Sequence, residues 1–154
     1  MSKNLEWQQE VLNDDSEVIN IIKGRRIGAS YLVNYLAKEN YKNMIYITNR
    51  EIMAKNRYRQ FLEFLKEEND MKIISNKIKK IKFAYYNNVY ENKIKKLHLY
   101  NKDAYKSPDF RFKTDFDIRD TDLIIFDEIP KEDIDTDNIK RITKNAKQYH
   151  MFSP

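Results

Sequence analysis

Apolar positions along this chain fall alternately into short branched runs and helical stripes. Glu17–Ile22 (EVINII) is a compact apolar run suited to a buried strand. Lys23–Ser30 (KGRRIGAS) follows as a tight loop, and Leu32, Tyr35 and Leu36 then recur at helical spacing, so the opening reads strand, loop, helix. Met44–Thr48 (MIYIT) predicts a second strand, followed by a helix with Ala54, Tyr58, Phe61, Leu62 and Leu65 on one face. Asp122–Phe126 (DLIIF) has the strongest buried-strand pattern, while Ile139, Ile142 and Ala146 mark a short helix before a last strand near Tyr149–Phe152. Strands alternating with helices predict an α/β fold with a mostly parallel sheet flanked by helices.

Residues 72–106 break the pattern. They hold ten Lys and no Arg against Glu91 and Asp103, a local charge of +8 in a chain whose net charge is +5. Short runs around Ile81–Phe83 and Leu97–Leu99, with Asn87-Asn88 between, predict a β-hairpin-like insertion or two edge strands. Five of the eleven tyrosines lie here: Tyr85, Tyr86, Tyr90, Tyr100 and Tyr105. Lysines interleaved with aromatic rings suit non-specific contact with nucleic acid, ammonium groups meeting phosphates and rings stacking on bases. They equally suit a solvated sheet face whose lysines prevent edge pairing.

At 154 residues the chain is expected to be one domain, spanning 1–154, with 1–16 as an N-terminal segment and 72–106 as the insertion. The absence of Cys excludes disulfides, thiolate metal sites and Cys nucleophiles, and two histidines, His98 and His150, cannot build a His-rich metal site. Both read as surface or core residues, and any metal would be a hard cation held by oxygens. No apolar run approaches the roughly 20 residues that span a bilayer, and Met1-Ser2-Lys3-Asn4 lacks a signal-peptide core, so an intracellular place away from membranes is expected.

Glycine is the informative number. Average usage of about 7% predicts roughly eleven, and the chain has two, Gly24 and Gly28, both inside the loop after the first strand. A phosphate-binding P-loop reads G-x-x-x-x-G-K-[ST], with glycines admitting phosphate oxygens to the backbone, Lys reaching the β/γ-phosphates and Ser/Thr binding Mg2+. Here Ala29 stands in the lysine position and Lys23 in that of the first glycine, leaving Gly28 and Ser30 in place. Lys23 at the loop's opening could reach back to the same phosphates. About 95 residues later Asp122–Glu128 (DLIIFDE) supplies a hydrophobic strand ending in adjacent carboxylates, the Walker B pattern. Asp127 could hold Mg2+ through its water shell and Glu128 could orient and deprotonate a water. Taken singly, the loop could be a glycine turn with solvated basic residues, and Asp127-Glu128 a helix N-cap.

Together, Lys23–Ser30 and Asp127-Glu128 resemble the ATPase domain of phage large terminase subunits, whose deviant Walker A motif in some members begins with the lysine. The resemblance implies an additional-strand (ASCE, RecA-like) P-loop NTPase core. It further implies that Gln8 or Gln9, after Trp7, reads the adenine edge, and that Ser153 belongs to a coupling motif after the last strand. Gln8 and Gln9 could otherwise be polar surface, with Trp7 a packing anchor. Arg25 or Arg26 could stabilise phosphate charge in cis or pair with surface acids.

The implied activity is ATP hydrolysis with Mg2+ in viral double-stranded DNA packaging, in the cytoplasm of an infected host cell. The implied partners are double-stranded DNA, through the 72–106 segment, and a ring of copies with portal and small terminase. Large terminases continue into further ATPase strands and an RNase H-like nuclease domain, for which this sequence carries no counterpart. It resembles either the N-terminal part of such a protein or a shortened relative. Two other functions stay open: a weak or inactive nucleotide- or nucleic-acid-binding accessory protein, if Lys23 does not compensate for Ala29 or if Ala29 itself replaces a lysine, and a fragment of a helicase-like translocase. The last would need a second RecA-like domain.

Overall fold

A computed structural model describes residues 6–22, 43–67, 71–78, 82–88, 93–106, 118–144 and 146–153. The expected loop at Lys23–Ser30 and the helical stripe of Leu32, Tyr35 and Leu36 lie outside these residues. The described elements are α1 (Glu6–Asn13), β1 (Val18–Ile22), β2 (Asn43–Thr48), α2 (Glu51–Glu67), β3 (Met71–Ile78), β4 (Lys82–Asn88), β5 (Lys93–Asn101), α3 (Lys102–Lys106), β6 (Leu123–Asp127), α4 (Thr136–Ile142) and β7 (Lys147–Phe152). They build one seven-stranded sheet in the order β1-β7-β6-β2-β5-β4-β3. The pairs β1/β7, β7/β6, β6/β2 and β2/β5 are parallel, whereas β5/β4 and β4/β3 are antiparallel.

Both faces of the parallel part are covered, which explains why its central strands are apolar without alternation. Every residue of β2 and β6 is buried. Met44, Tyr46, Leu97, Leu99, Leu123 and Ile125 turn to one face, where Tyr58, Phe61 and Leu65 of α2 pack, joined at the margin by Trp7, Val11 and Leu12 of α1. Ile45, Ile47, Tyr100, Ile124 and Phe126 turn to the other, against Ile118, Ile129 and Ile139. Period-two division of each strand between two layers follows from the pleat. Fully burying one such Ile or Leu side chain contributes about 1.5–3 kcal/mol. Trp7 is thus a packing anchor, as its apolar body suggests.

Polar contacts at the amino ends of the strands hold the register. Asn43 N–H donates to Asp122 Oδ2 at 3.0 Å, and its side-chain amide to the Asp120 carbonyl at 2.9 Å. Asp122 N–H in turn donates to Asn43 O, and Lys147 N–H to Asp122 O, each at 3.0 Å, so β2, β6 and β7 start level. Asp135 caps α4 by accepting from Asn138 N–H at 3.0 Å. The Thr143 hydroxyl closes the same helix on the Ile139 carbonyl at 2.5 Å and accepts from Ala146 N–H at 3.2 Å, turning the chain into β7. Ala146 therefore lies beyond the helix that its spacing predicted, buried where β7 begins.

The lysine-rich segment forms a hairpin, β4 with β5, extended by β3. Its Leu97–Leu99 run is no edge strand, however. It belongs to β5, which pairs parallel with β2 from Asn43↔Lys96 to Thr48↔Asn101 and is buried from Leu97 to Tyr100. Among the described strands β3 and β1 are the outermost. Lys93, Lys95 and Lys96 at the start of β5 disguise an interior strand as a solvated one.

His98 and His150 are both buried. Burial, assisted by the Lys131 ammonium, pushes the His150 imidazole down from 6.5 to about 4, so it is neutral in the fold and its Nε2–H donates to Gln148 Oε1 at 2.9 Å. An unfolded chain takes up that proton near pH 6.5, whereas the folded one refuses it until about pH 4. Stability from this group is therefore present above pH 6.5 and is lost as pH falls toward 4. The urea midpoint of the wild type is expected to fall between pH 7 and pH 5 more steeply than that of His150→Gln. Parallel slopes would refute the assignment.

Candidate functional site

The register aligns the carboxyl ends of the parallel strands. Ile22 is opposite Phe152, Met151 opposite Asp127, Asp127 opposite Thr48, and Thr48 opposite Asn101. Open α/β sheets bind ligands outside this edge. The chain enters Lys23–Ser30 from Ile22, at the same edge on which Asp127, Glu128 and Ser153 stand. Lys23, Gly24, Arg25, Arg26, Gly28, Ala29 and Ser30 themselves lie outside the described residues.

Asp127 is the last residue of β6, one position beyond the strand that the apolar pattern predicted, and it is buried. Its Oδ2 accepts a hydrogen bond from the Tyr46 hydroxyl. Tyr46 is fully buried, and burial, with the carboxylate beside it, raises its phenol well above its ordinary range despite the opposing charge of Arg57. The Arg57 guanidinium stands over the Tyr46 ring, 5.4 Å from its centroid. The phenol therefore remains a donor to the carboxylate.

Glu128 follows in a different setting. Its φ of 62° is left-handed, a conformation that costs a non-glycine residue about 1–3 kcal/mol. Three hydrogen bonds oppose that cost. Glu128 N–H donates to Met151 O at 2.9 Å, Ser153 N–H donates to Glu128 Oε2 at 3.2 Å, and the Ser153 hydroxyl to Oε1 at 2.5 Å. The ends of β6 and β7 thus bring Asp127, Glu128 and Ser153 together. The two Ser153 bonds fix the direction of the Glu128 carboxylate.

Magnesium takes one or two carboxylates and keeps several waters. A single buried strand-end carboxylate, Asp127, suits that ion. Among the described residues no three His, Cys, Asp or Glu side chains gather to form a water-free metal cage.

The expected glutamines divide. Gln8 is buried in α1, which removes the polar-surface reading for it, whereas Gln9 is exposed. Sequence reasoning missed Tyr46 and Arg57. Tyr46 sat inside MIYIT as one more bulky strand residue, and Arg57 lies beside the apolar stripe of α2 with nothing local to single it out. A phenol among isoleucines was the available signal, since a buried hydroxyl needs a partner.

No family model matches the sequence, and comparison with curated proteins finds no match. Solved structures do match. The ATPase domain of the large terminase of Thermus phage P74-26 superposes with a TM-score of 0.65 at 11% identity, over 99% of this chain and 65% of that one. An arginine-to-alanine mutant of that domain gives 0.64, again at 11% identity, over 99% and 66%. The chain has the fold of a large-terminase ATPase domain. It spans just under two thirds of the length of those domains. In its sheet β7 lies between β1 and β6. Among the described residues no helix is long and apolar enough to cross a membrane.

Tyr46→Phe preserves the ring and removes only the hydroxyl from a buried carboxylate. It is expected to lower the unfolding free energy by about 1.5–3 kcal/mol, the range for hydrogen bonds to charged groups, measured by urea denaturation at pH 7. A loss near zero would refute the bond.

Proposed function

We propose that this chain binds ATP with Mg2+ at the carboxyl edge of its parallel sheet and hydrolyses the β–γ bond, as the ATPase of a viral double-stranded DNA packaging machine. The observation that carries this reading is the strand order β1-β7-β6. The strand that leads into Lys23–Ser30 and the strand that ends in Asp127-Glu128 finish at one edge with a single strand between them. That order, on a terminase ATPase fold, supports a phosphate loop facing a pair of carboxylates.

In this reading Lys23 grips the phosphates in place of a lysine at Ala29, while Gly24 and Gly28 let the loop backbone approach them. Ser30 and Asp127 hold the Mg2+, which when bound neutralises charge on the β- and γ-phosphates. Glu128 orients the attacking water and accepts its proton, its carboxylate aimed by Ser153. Arg25 or Arg26 stabilises charge on the transferred phosphoryl group, and Gln8 or Gln9 selects adenine. Motor action would additionally take a ring of copies, with DNA in its channel and portal and small terminase beside it.

Lys23→Ala is expected to lose ATP binding, read by titration with a fluorescent ATP analogue. Glu128→Gln should keep binding while hydrolysis falls about 10²–10⁴-fold, the contribution of a general base. Undetectable binding by the wild type would overturn the proposal. The Ala29 position motivates the second reading, a nucleotide- or nucleic-acid-binding accessory protein without catalysis. Ala29→Lys separates the two: a large gain in activity would mark a disabled site, and no gain would leave Lys23 as the working lysine.

The segment 72–106 is the proposed contact for DNA, with ten lysines to meet phosphates. Binding to unrelated duplexes should weaken steeply with salt, the logarithm of the affinity falling linearly with log salt concentration. Undetectable or salt-insensitive binding would make it a solvated surface.

A further inference from the structure

The pairing of β2 with β6 sets Tyr46 opposite Ile125 and Thr48 opposite Asp127. Tyr46 and Ile125 turn to the α2 face, and the pleat turns Asp127, two residues beyond Ile125, the same way. The Tyr46 ring fills space that a phenylalanine ring could fill, and it packs edge-on against Phe61 of α2, centroids 6.1 Å apart. Packing therefore accounts for the ring and leaves the hydroxyl unexplained. That hydroxyl has been carried into a fully buried position, where it is costly unless bonded, and its partner is the strand-end carboxylate. Behind it stands Arg57, its guanidinium over the Tyr46 ring, 5.4 Å from the centroid. The result is a chain from a helix to a buried carboxylate: Arg57 to Tyr46 to Asp127.

We propose that Tyr46 is a positioning residue for Asp127, held in turn by Arg57, and that this relay orients the carboxylate for a hydrated divalent cation. The proposal rests on the ATP·Mg2+ reading of the site. Carboxylates that bind metals are themselves oriented by outer hydrogen bonds, and removing such a partner typically costs 10–100-fold in metal affinity. Fixing Oδ2 on Tyr46 selects one rotamer of Asp127. Without the hydroxyl the carboxylate can turn, and each turned rotamer is one the cation must reverse on binding. Because α2 directly follows β2, the relay also ties the cation site to the helix layer on that face.

The test measures binding, not turnover. A fluorescent ATP analogue is titrated into the full chain without Mg2+ and at increasing Mg2+, for the wild type, Tyr46→Phe, Asp127→Asn and the double variant. In Tyr46→Phe the Mg2+ concentration giving half-maximal enhancement should rise 10–100-fold, with Mg2+-free affinity unchanged. The double variant should be no weaker in Mg2+ than Asp127→Asn alone. Arg57→Gln keeps a polar side chain on α2 and should raise the same midpoint by a smaller factor. It carries the test if Tyr46→Phe does not fold.

A wild-type Mg2+ midpoint in the variants overturns the relay while leaving the ATP reading intact. So does an equal loss of affinity with and without Mg2+, the mark of a merely structural bond, or additive losses in the double variant. Absence of any Mg2+-dependent binding in the wild type overturns the ATP reading, and this inference with it.

Discussion

The register that sets Asp127 opposite Thr48 on one side and Met151 on the other is the constraint from which the carboxyl edge follows. A parallel sheet covered on both faces admits almost no polar side chain along its central strands. β6 obeys this from Leu123 to Phe126, every residue buried, and admits a carboxylate only at its last position. Level amino ends make level carboxyl ends, because parallel strands of similar length rise about equally per residue. The hydrogen bonds among Asn43, Asp120, Asp122 and Lys147 at the far edge therefore help to decide where Asp127 stands.

Two adjacent carboxylates at that edge meet opposite environments. Asp127 belongs to the interior, bonded to a phenol whose ring a guanidinium covers. Glu128 has left the strand, in a left-handed turn held by the end of β7 through Met151 and Ser153. One is oriented from the α2 layer and the other from a neighbouring strand. Such separation fits the separate tasks proposed for them, one toward a cation and the other toward a water.

The lysine-rich segment is where charge misled. β4 and β5 form the hairpin that the spacing of its apolar runs allows, and β3 extends it to the outermost position among the described strands. β5, though, starts with Lys93, Lys95 and Lys96 and ends as an interior strand paired with β2, with Leu97 to Tyr100 buried. A period-two reading averages across such a strand. Charge at one end of a strand says nothing of how far its other end penetrates.

By itself the sequence determined β1, β2, β6 and β7, the apolar face of α2 and the two carboxylates after DLIIF. These are local properties, written in apolar runs, helical spacing and the polarity at which a run stops. It also singled out Lys23–Ser30, since two glycines in 154 residues fall in one loop. Only the tertiary structure decided that β7 lies between β1 and β6, that Ser153 bonds Glu128, and that Tyr46 and Arg57 stand behind Asp127. Those facts join residues 25, 81 and more positions apart, and strand order depends on which layers cover which faces rather than on any local pattern. Tyr46 states the difference most plainly: in MIYIT it is one bulky residue among isoleucines, and its hydroxyl acquires a task only when β6 folds beside it.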